Sequence, residues 1–486
     1  MNPKLLLHTI VHLRPKQVFY QLWYRLHKPK YKTIEAPNGV ITKSQTEPLP
    51  KYHCLDGEMF TFLNLEHKFS GWNFTDNGML WAYNQNYFDW LNQEEMTTEE
   101  GRKWIDKFIK ELPSNKVGLD PYPIALRSIN WIKFFSKYPE CATKERLNSL
   151  YSQVKMLEKK LEYHLLGNHL LEDAYALYIS GAFFQDIKIQ NKATKLLLAQ
   201  LKEQTLADGA HYEQSPMYHC ILLDRLLDCI NIAPTEELKA YAQKQLGWLK
   251  SICYNDGSYP LFNDAASCIA PKPSEIINYA NRLEIESEES PLGESGYRKL
   301  SNTTMEAIVD VGDIKATYQP GHTHADTFSY ELRIEDKPFV VDTGISTYNK
   351  NERRQYERST SAHNTVVVNG QNSSEVWGGF RVGKRAKVKL VKDNSTEIFA
   401  SHNGFSKPCH RTFKITDEAF IVEDHYDGDA VSFIHLAGDA DLKRIKIDGA
   451  SKIDIEDGLY SIEYNKFITG KVMKMHFNGE LKYKIK

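Results

Sequence analysis

Two imidazoles and a carboxylate alternate along Pro320-Gly321-His322-Thr323-His324-Ala325-Asp326, directly after a Pro-Gly turn signal. Side chains alternate along a strand, so an extended chain here sets His322, His324 and Asp326 on one face. Two imidazoles on one face either share a metal ion, or one ligates while the other moves a proton. Downstream stand Val341-Asp342-Thr343-Gly344 and Ala362-His363-Asn364-Thr365, each against an apolar run. A His, Asp, His set from neighbouring strands makes a three-ligand site with an open fourth position, for which zinc is the favoured divalent ion. A histidine pair of this spacing also occurs at ordinary polar turn positions, and the pair by itself does not separate the two readings.

A second group lies upstream. Gly167-Asn168-His169 opens a long apolar helix, with Glu172 and Tyr175 on the face of Asn168. In the stretch from Asp208 to His219, Ser215 reads as a helix N-cap and Pro216 as the first helical residue. Tyr218 then falls in the first turn, where the partial positive charge of the helix end favours a phenolate. As one of 27 tyrosines it equally suits a packing role.

The elements that carry these groups follow two periods. From about residue 76 to 285 the apolar pattern is helical, as in 104–112, 124–135, 147–166 and 170–184, with Pro121, Pro123, Gly209 and Pro216 marking turns. After about residue 300 the period becomes two. The runs 339–342, 365–368, 386–390, 397–401, 420–423 and 432–436 are separated by Asn369-Gly370, Asp427-Gly428, Asp448-Gly449 and Asp457-Gly458, which are hairpin-type signals. This predicts an α+β multidomain chain, helical first and an antiparallel β-sandwich second. The polar, acidic stretch 284–295 marks the boundary. The expected domains are a basic N-terminal helical extension over 1–50, a helical domain over 51–290 and a β domain over 291–486.

Composition narrows the class. At about 100–200 residues per domain, 486 residues make two or three domains. Lys plus Arg number 61 against 63 Asp plus Glu, a net charge of −2, which argues against a nucleic-acid binder. Charged and hydrophobic fractions of 26% and 41% exclude wholesale disorder. No apolar run reaches the 18 or so residues of a transmembrane helix. The seven cysteines are scattered, with neither a disulfide framework nor a CxxC spacing, and lean towards a reducing setting. Residues 1–34 hold no acid but include Lys4, Arg14, Lys16, Arg25, Lys28, Lys30 and Lys32. His8, His12 and Arg14 interrupt the apolar start and no small-residue cleavage site follows, so no cleavable signal is expected. Val18, Phe19, Leu22, Trp23 and Leu26 form a helical stripe. It predicts an amphipathic helix docked on the body, the alternative being a basic helix on a membrane surface or an acidic polymer.

Read together, the segments closely resemble the heparinase II/III-like polysaccharide lyases. In order, these are Leu80-Trp81-Ala82-Tyr83-Asn84 with Tyr87-Phe88-Asp89-Trp90-Leu91, Pro121 to Arg127 with Asn130-Trp131-Ile132, and Asn168-His169-Leu170-Leu171-Glu172. Asp208 to His219, Asp256-Gly257 to Asp264, Gly321 to Asp326, Val341 to Gly344, and Arg358-Ser359 with Ala362 to Thr365 continue the series. The likeness covers roughly residues 55–380, and the remainder matches only in strand-like character.

The resemblance implies an incomplete (α/α) toroid followed by antiparallel β-sheet, with a cleft between them. It implies cleavage of an acidic, uronate-containing polysaccharide by β-elimination. Tyr218 and His322 would be the acid and base, Asn168 and His169 would hold the uronate carboxyl, and Arg127, Asn130 and Arg358 would bind substrate. His324, Asp342 and His363 would hold a divalent cation, zinc first and calcium or manganese next, as a scaffold for the His322 segment. The chemistry suits these residue types. Removing the C5 proton puts charge on the carboxylate, which a donor such as Asn168 must stabilise; the base needs a phenolate or imidazole and the C4 oxygen needs a proton. Arg358 can grip carboxylate or sulfate bidentately, or pair with an acid within its own domain. Asp173 departs from the pattern, since Asn is expected there in relatives and a cleft-facing acid would repel the sugar. The resemblance points to the periplasm, whereas the missing signal leaves a cytoplasmic setting open. Oligomeric state and endo or exo action are not legible. The alternative function is a non-catalytic polysaccharide-binding or surface-polysaccharide assembly factor.

Overall fold

The structure, a computed structural model, describes residues 3–37 and 43–486. Helices α1 (Pro3–Ile10) and α2 (Pro15–Leu26) precede a small three-stranded antiparallel sheet of Leu55–Asp56, Met59–Phe62 and Leu65–Lys68. The helical half continues with α3 (Met79–Tyr87), α4 (Thr98–Glu111), α5 (Pro121–Lys137), α6 (Lys144–Leu157), α7 (Gly167–Phe183), α8 (Ile187–Gln204), α9 (Pro216–Ile232), α10 (Glu236–Ile252) and α11 (Pro273–Arg282). It is built in two rows. Helices α3, α5, α7, α9 and α11 pack in succession, while α6, α8 and α10 lie against α5, α7 and α9. The sequence explains which row each joins. All of α7 except His169 and Ala182 is buried, as a helix apolar on every side must be. By contrast α8 buries only a stripe of Ile189, Ala193, Leu197, Gln200, Leu201 and Gln204.

One helix is shorter than its periodicity predicts. The apolar run 147–166 reads as a single helix, yet α6 stops at Leu157. Leu166 and Gly167 have φ of 62° and 60°, left-handed values that no continuing α-helix contains, and this break starts α7 at the residues that reach the cleft.

The β half is built on an antiparallel sheet of twelve strands, with a separate two-stranded hairpin of Val376–Trp377 and Arg381–Val382. Its main path runs Val388–Asp393, Glu397–His402, Cys409–Ile415, Phe420–Leu436, Lys337–Val340, Tyr330–Ile334, Met305–Asp310 and Tyr297–Ser301. The long strand Lys466–Ile485 pairs with Phe420–Leu436 from Phe420↔Ile485 to Leu436↔Lys471, and also with Ile445–Asp448 and Lys452–Glu463. Burial alternates strictly along Cys409–Ile415, the pattern of a strand with one face in the core. The sheet curls on itself. Tyr330 packs on Phe413 and Phe420 and donates its hydroxyl to Tyr483.

Three local expectations change. Asp427-Gly428 is not a turn: the strand Phe420–Leu436 runs through it with a register shift between Tyr426 and Asp429, a β-bulge. Asp457-Gly458 likewise lies inside Lys452–Glu463, with Gly458 opposite Gly470. And His322 to Asp326 form a loop, not a strand, because these backbone groups pair with loops of the helical half. Thus Asp264 N–H donates to the His322 carbonyl and the His324 N–H to Asn263 Oδ1.

The two halves share apolar structure. The core of the helical half takes in Tyr297, Ile308, Ala316 and Tyr318, while a second core spans residues from Leu300 to Ile485. Among the described residues no helix is long and apolar enough to cross a membrane.

Candidate active site

Ser215 caps α9 by accepting the Tyr218 N–H at 3.3 Å, and its own hydroxyl donates to the Asp264 carbonyl at 2.6 Å. That places Tyr218 half-buried at the start of α9, its ring 4.0 Å from that of His322. The Tyr218 hydroxyl lies 3.0 Å from the Tyr348 hydroxyl, which is 3.3 Å from His322 Nδ1. On the other side, His322 Nε2 is 3.7 Å from Glu213 Oε2. Glu213 accepts from Asn168 three times, from the backbone N–H at 3.0 Å and from Nδ2 at 2.9 and 3.1 Å. Asn168, Tyr218 and His322 therefore meet in one cluster, bridged by Glu213 and Tyr348. The close approach of Glu213 to the start of α7 requires Gly167: φ is +60° and a Cβ there would lie 2.9 Å from Glu213 Oε1.

Asp264 is the hub beneath this cluster. Its Oδ2 is 2.8 Å from His322 Nδ1, its Oδ1 is 2.8 Å from His324 Nε2, and Arg354 on α12 (Glu352–Glu357) binds both oxygens. All but His322 are fully buried. Burial would raise the Asp264 carboxyl, but Arg354 and the two imidazoles hold it well below the usual carboxylate range. The ionised carboxylate favours Nδ1 of His322 as the donor, which leaves Nε2 as an acceptor facing Glu213. Burial, then Asp264 and Glu213, push the Tyr218 phenol above its ordinary value, against the Tyr348 hydrogen bond and Arg354. This direction runs against the phenolate expected from the helix end and favours the protonated phenol.

The other predicted residues sort by position. His169 Nδ1 is 3.0 Å from Glu162, its ring 4.7 Å from Tyr122, and Glu162 raises it against burial. Arg127 does not reach the cleft. It is fully buried and donates to Gln153, the Asn86 carbonyl and the Gly118 carbonyl, holding α3 and α5 together. Arg358 is also fully buried, and donates to the Thr323 and Arg381 carbonyls. It props the loop between His322 and His324. Asn130 donates to the Tyr87 carbonyl and borders a cavity of about 1110 Å³ also lined by Tyr52, Lys133, Arg225, Ile221 and Tyr464. This cavity holds none of Asn168, Tyr218 and His322; it meets them through Tyr464, whose ring is 5.4 Å from Tyr348. Asp173 is fully buried and accepts the Glu162 N–H at 2.7 Å, so it does not face an incoming sugar.

Tyr348 and Arg354 join the candidate cluster through Tyr218, His322 and Asp264 and are missed by motif reading. The one signal was Arg354 four residues before Arg358, a spacing that sets both on one helical side.

The predicted metal ligands are buried neighbours. His363 Nδ1 lies 2.7 Å from Asp342 Oδ2, and the rings of His324 and His363 are 5.2 Å apart. Among the described residues no group of three or more His, Cys, Asp or Glu side chains is arranged to hold a metal ion. Even so, His324 Nδ1, His363 Nε2 and Asp326 Oδ2 are buried without hydrogen-bond partners. Orphaned imidazole nitrogens and a carboxylate oxygen are donors that a divalent cation satisfies, so the donor chemistry fits one.

A sharing of fold and order with known proteins follows. The model of the heparinase II/III N-terminus matches residues 130–287, and that of the heparinase II/III-like C-terminal region matches 285–436. The chain belongs to the heparinase II/III-like family. It is 24% identical over 306 residues to a heparin-sulfate lyase of Bacteroides stercoris, covering 54% of this chain and 43% of that protein. It is 27% identical over 266 residues to that of Pedobacter heparinus, covering 47% and 40%. The matches thus span less than half the length of these relatives. Among solved structures, a heparinase III superposes with a TM-score of 0.68 at 14% identity, covering 97% of this chain and 92% of that one. The heparan sulfate lyase HepC of Pedobacter heparinus gives 0.53 at 15%, covering 96% and 87%. At these identities the likeness establishes the fold.

Proposed function

We propose that this protein is a polysaccharide lyase that cleaves an acidic, uronate-containing polysaccharide by β-elimination, in a cleft between an incomplete (α/α) toroid and the β half. The observation that carries the reading is the meeting of Asn168, Tyr218 and His322 around Glu213 and Tyr348, from four separate parts of the chain. The heparin-sulfate lyase relatives support the reaction class.

The roles follow from the resting protonation. His322, oriented through Nδ1 by Asp264, takes the C5 proton at Nε2. Tyr218, which holds its proton, gives it to the departing C4 oxygen. Asn168 exchanges one of its contacts to Glu213 for the sugar carboxylate and donates to it as charge develops there. His169 stands at the exposed edge of that subsite. Lys133 and Arg225 line the adjoining cavity, but both are paired with acids there, Lys133 with Asp228 and Arg225 with Asp224. A divalent cation would be held by His324, Asp342 and His363 with Asp326 beside them, and when bound would supply a fixed positive charge tying their three segments together.

The test is growth of ultraviolet absorbance from the conjugated double bond, on a panel of uronate polymers including alginate, heparan sulfate and hyaluronan. Tyr218→Phe is expected to lower the rate by about 10²–10⁴-fold with little change in KM. Polymer binding without any absorbance change in the native chain would instead establish the binding or assembly role. Full activity in Tyr218→Phe would remove Tyr218 as the acid.

A further inference from the structure

The N-terminal helices are attached to the body by the face opposite to the one their pattern predicts. On α2, Gln17 is buried and its Nε2 donates to the Leu165 and Tyr318 carbonyls at 3.1 and 3.3 Å. Tyr24 donates to the Leu161 carbonyl at 2.6 Å, the Tyr20 ring lies 4.8 Å from that of Tyr163, and Arg14 pairs with Glu203. On α1, His8 contacts Glu375 at 2.8 Å and Thr9 accepts from the Trp377 indole at 3.1 Å. Docking is therefore polar and aromatic. The apolar stripe is what remains outside: Val18, Phe19, Leu22, Trp23 and Leu26 are exposed, Leu26 to 81%, and Leu7 and Ile10 of α1 with Val11 just after it are exposed as well. Phe19, Trp23 and His27 stack in a row along it.

Within residues 1–34 the charge has one sign, the acids Glu203 and Glu375 of the body pairing on the docked side. No acid occurs in residues 1–34, and Arg25, Lys28, Lys30 and Lys32 are exposed at the end of α2 and just beyond. A contiguous apolar patch of this kind marks an interaction surface. A second copy would bring like charges together. An acidic polysaccharide matches the charge but offers no apolar layer for Phe19, Leu22 and Leu26. An anionic bilayer supplies both, lipid phosphates for the basic side chains and the acyl boundary some 5–10 Å below for the apolar ones. The 12 residues of α2 make about 18 Å of helix, enough to lie in the interface and too short to cross it.

We propose that α1 and α2 form a face that seats the protein on an anionic lipid surface, with Phe19, Leu22, Trp23 and Leu26 at the acyl boundary and Arg25, Lys28, Lys30 and Lys32 on lipid phosphates. Through Gln17, the same helix braces Leu165 and Tyr318, close in the chain to Asn168 and His322. The bilayer-facing surface is thus coupled to the loops that carry the site.

Sedimentation of the full chain with lipid vesicles tests this without reference to catalysis. The chain is expected to pellet with phosphatidylglycerol–phosphatidylcholine vesicles at least about tenfold more than with phosphatidylcholine alone, and to be released by salt. Leu22→Ser/Leu26→Ser is expected to lose about tenfold or more of that binding at an unchanged melting temperature, since both positions are exposed. Arg25→Glu/Lys28→Glu should do the same for the anionic vesicles. The proposal is overturned if the native chain stays in the supernatant with anionic vesicles, or if Leu22→Ser/Leu26→Ser pellets as well as the native chain. It is also overturned if the chain ignores vesicles while the patch serves soluble alginate, whose binding the variant weakens, or a concentration-dependent dimer that the variant abolishes.

Discussion

Asp264 makes four charged or charge-assisted contacts in a fully buried place, and its worth lies in what each removal would strand. Arg354 is fully buried with Asp264 as its carboxylate partner, so Asp264→Asn leaves a guanidinium uncompensated, a loss of about 3–5 kcal/mol in comparable buried pairs. We expect a marked fall in melting temperature together with loss of elimination. Adding Arg354→Met should restore most of the stability but not the activity, because His322 still lacks its anchor; a single variant that melts like the native chain would refute the pairing. Glu172 poses a different problem, being buried with neither oxygen hydrogen-bonded and Arg225 Nε 3.9 Å from Oε2 as its ion-pair neighbour. Burial, with Asp224 and Asp228, raises its carboxyl to about 7 against Arg225. Unfolded, it ionises near its ordinary 4.5, so the folded chain holds the extra proton between the two values. The stability it contributes is complete below 4.5 and lost as pH rises through about 7, on the order of 3 kcal/mol. Glu172→Gln should flatten the fall in melting temperature between those values, and an unchanged slope would show the carboxyl to be ionised throughout. Glu331, also raised to about 7 by burial, keeps its own share of the slope. At this scale Asn168, Tyr218 and His322 were legible because each sits in a dense local motif. Tyr348 and Arg354 were not, because their partners are 130 and 90 residues away and no local pattern announces such a meeting. Arg127 and Arg358 read as ligands for anions, since only the tertiary structure reveals that carbonyl oxygens already surround them.

The elements were legible in kind and less so in their ends. Helical period, N-caps such as Ser215 and the strand alternation of Cys409–Ile415 all show in the sequence, because a local rule decides each. Asp427-Gly428 and Asp457-Gly458 carry turn chemistry but lie within strands, where the long partner Lys466–Ile485 overrides a two-residue signal by pairing on both sides of it. The loop His322 to Asp326 reads as a strand for the converse reason. Its alternation is genuine, but its backbone partners lie in the loop of Asn263 and Asp264. That loop, Asp342 just past Lys337–Val340, and His363 just before Val366–Val367 are joined by side chains such as the His363–Asp342 pair and by the Ala325 N–H bond to the Arg358 carbonyl. Here the proposed cation has its mechanical consequence. Exhaustive chelation is expected to lower the melting temperature by several degrees and zinc to restore it, since a ligand bound only to the folded state stabilises by mass action. His363→Ala should melt at the lower temperature with or without chelator. A native chain indifferent to chelator, and free of metal by elemental analysis as purified, would mean that the orphaned nitrogens are satisfied by water.

For the molecule as a whole, the site exists only at the seam. Tyr218 and Asn168 belong to the helical half and His322, Tyr348 and Arg354 to the β half, so their geometry is as good as the joint between the halves. That joint is polar and buried, and Gln214 is at its centre. Its Nε2 donates to the Ser295 and Asp313 carbonyls at 2.7 and 3.1 Å, its Oε1 accepts the Lys315 N–H at 2.9 Å, and its own carbonyl accepts from Tyr297 and Asn263. Gln214 has φ of 60°, and the next residue caps the Tyr218 helix. Because the helical core also extends into Tyr297, Ile308, Ala316 and Tyr318, unfolding either half would expose apolar surface on the other, and calorimetry is expected to show one transition. Gln214→Ala leaves one buried and two part-buried backbone groups without this partner, the buried one at about 1–3 kcal/mol when unsatisfied, while removing no group that touches substrate. Its melting temperature should fall by several degrees and kcat should fall with it, while far-ultraviolet circular dichroism at low temperature stays native. Two separated transitions in the native chain would show instead that the halves fold independently, and that the cleft is a docking of two finished domains rather than a product of one.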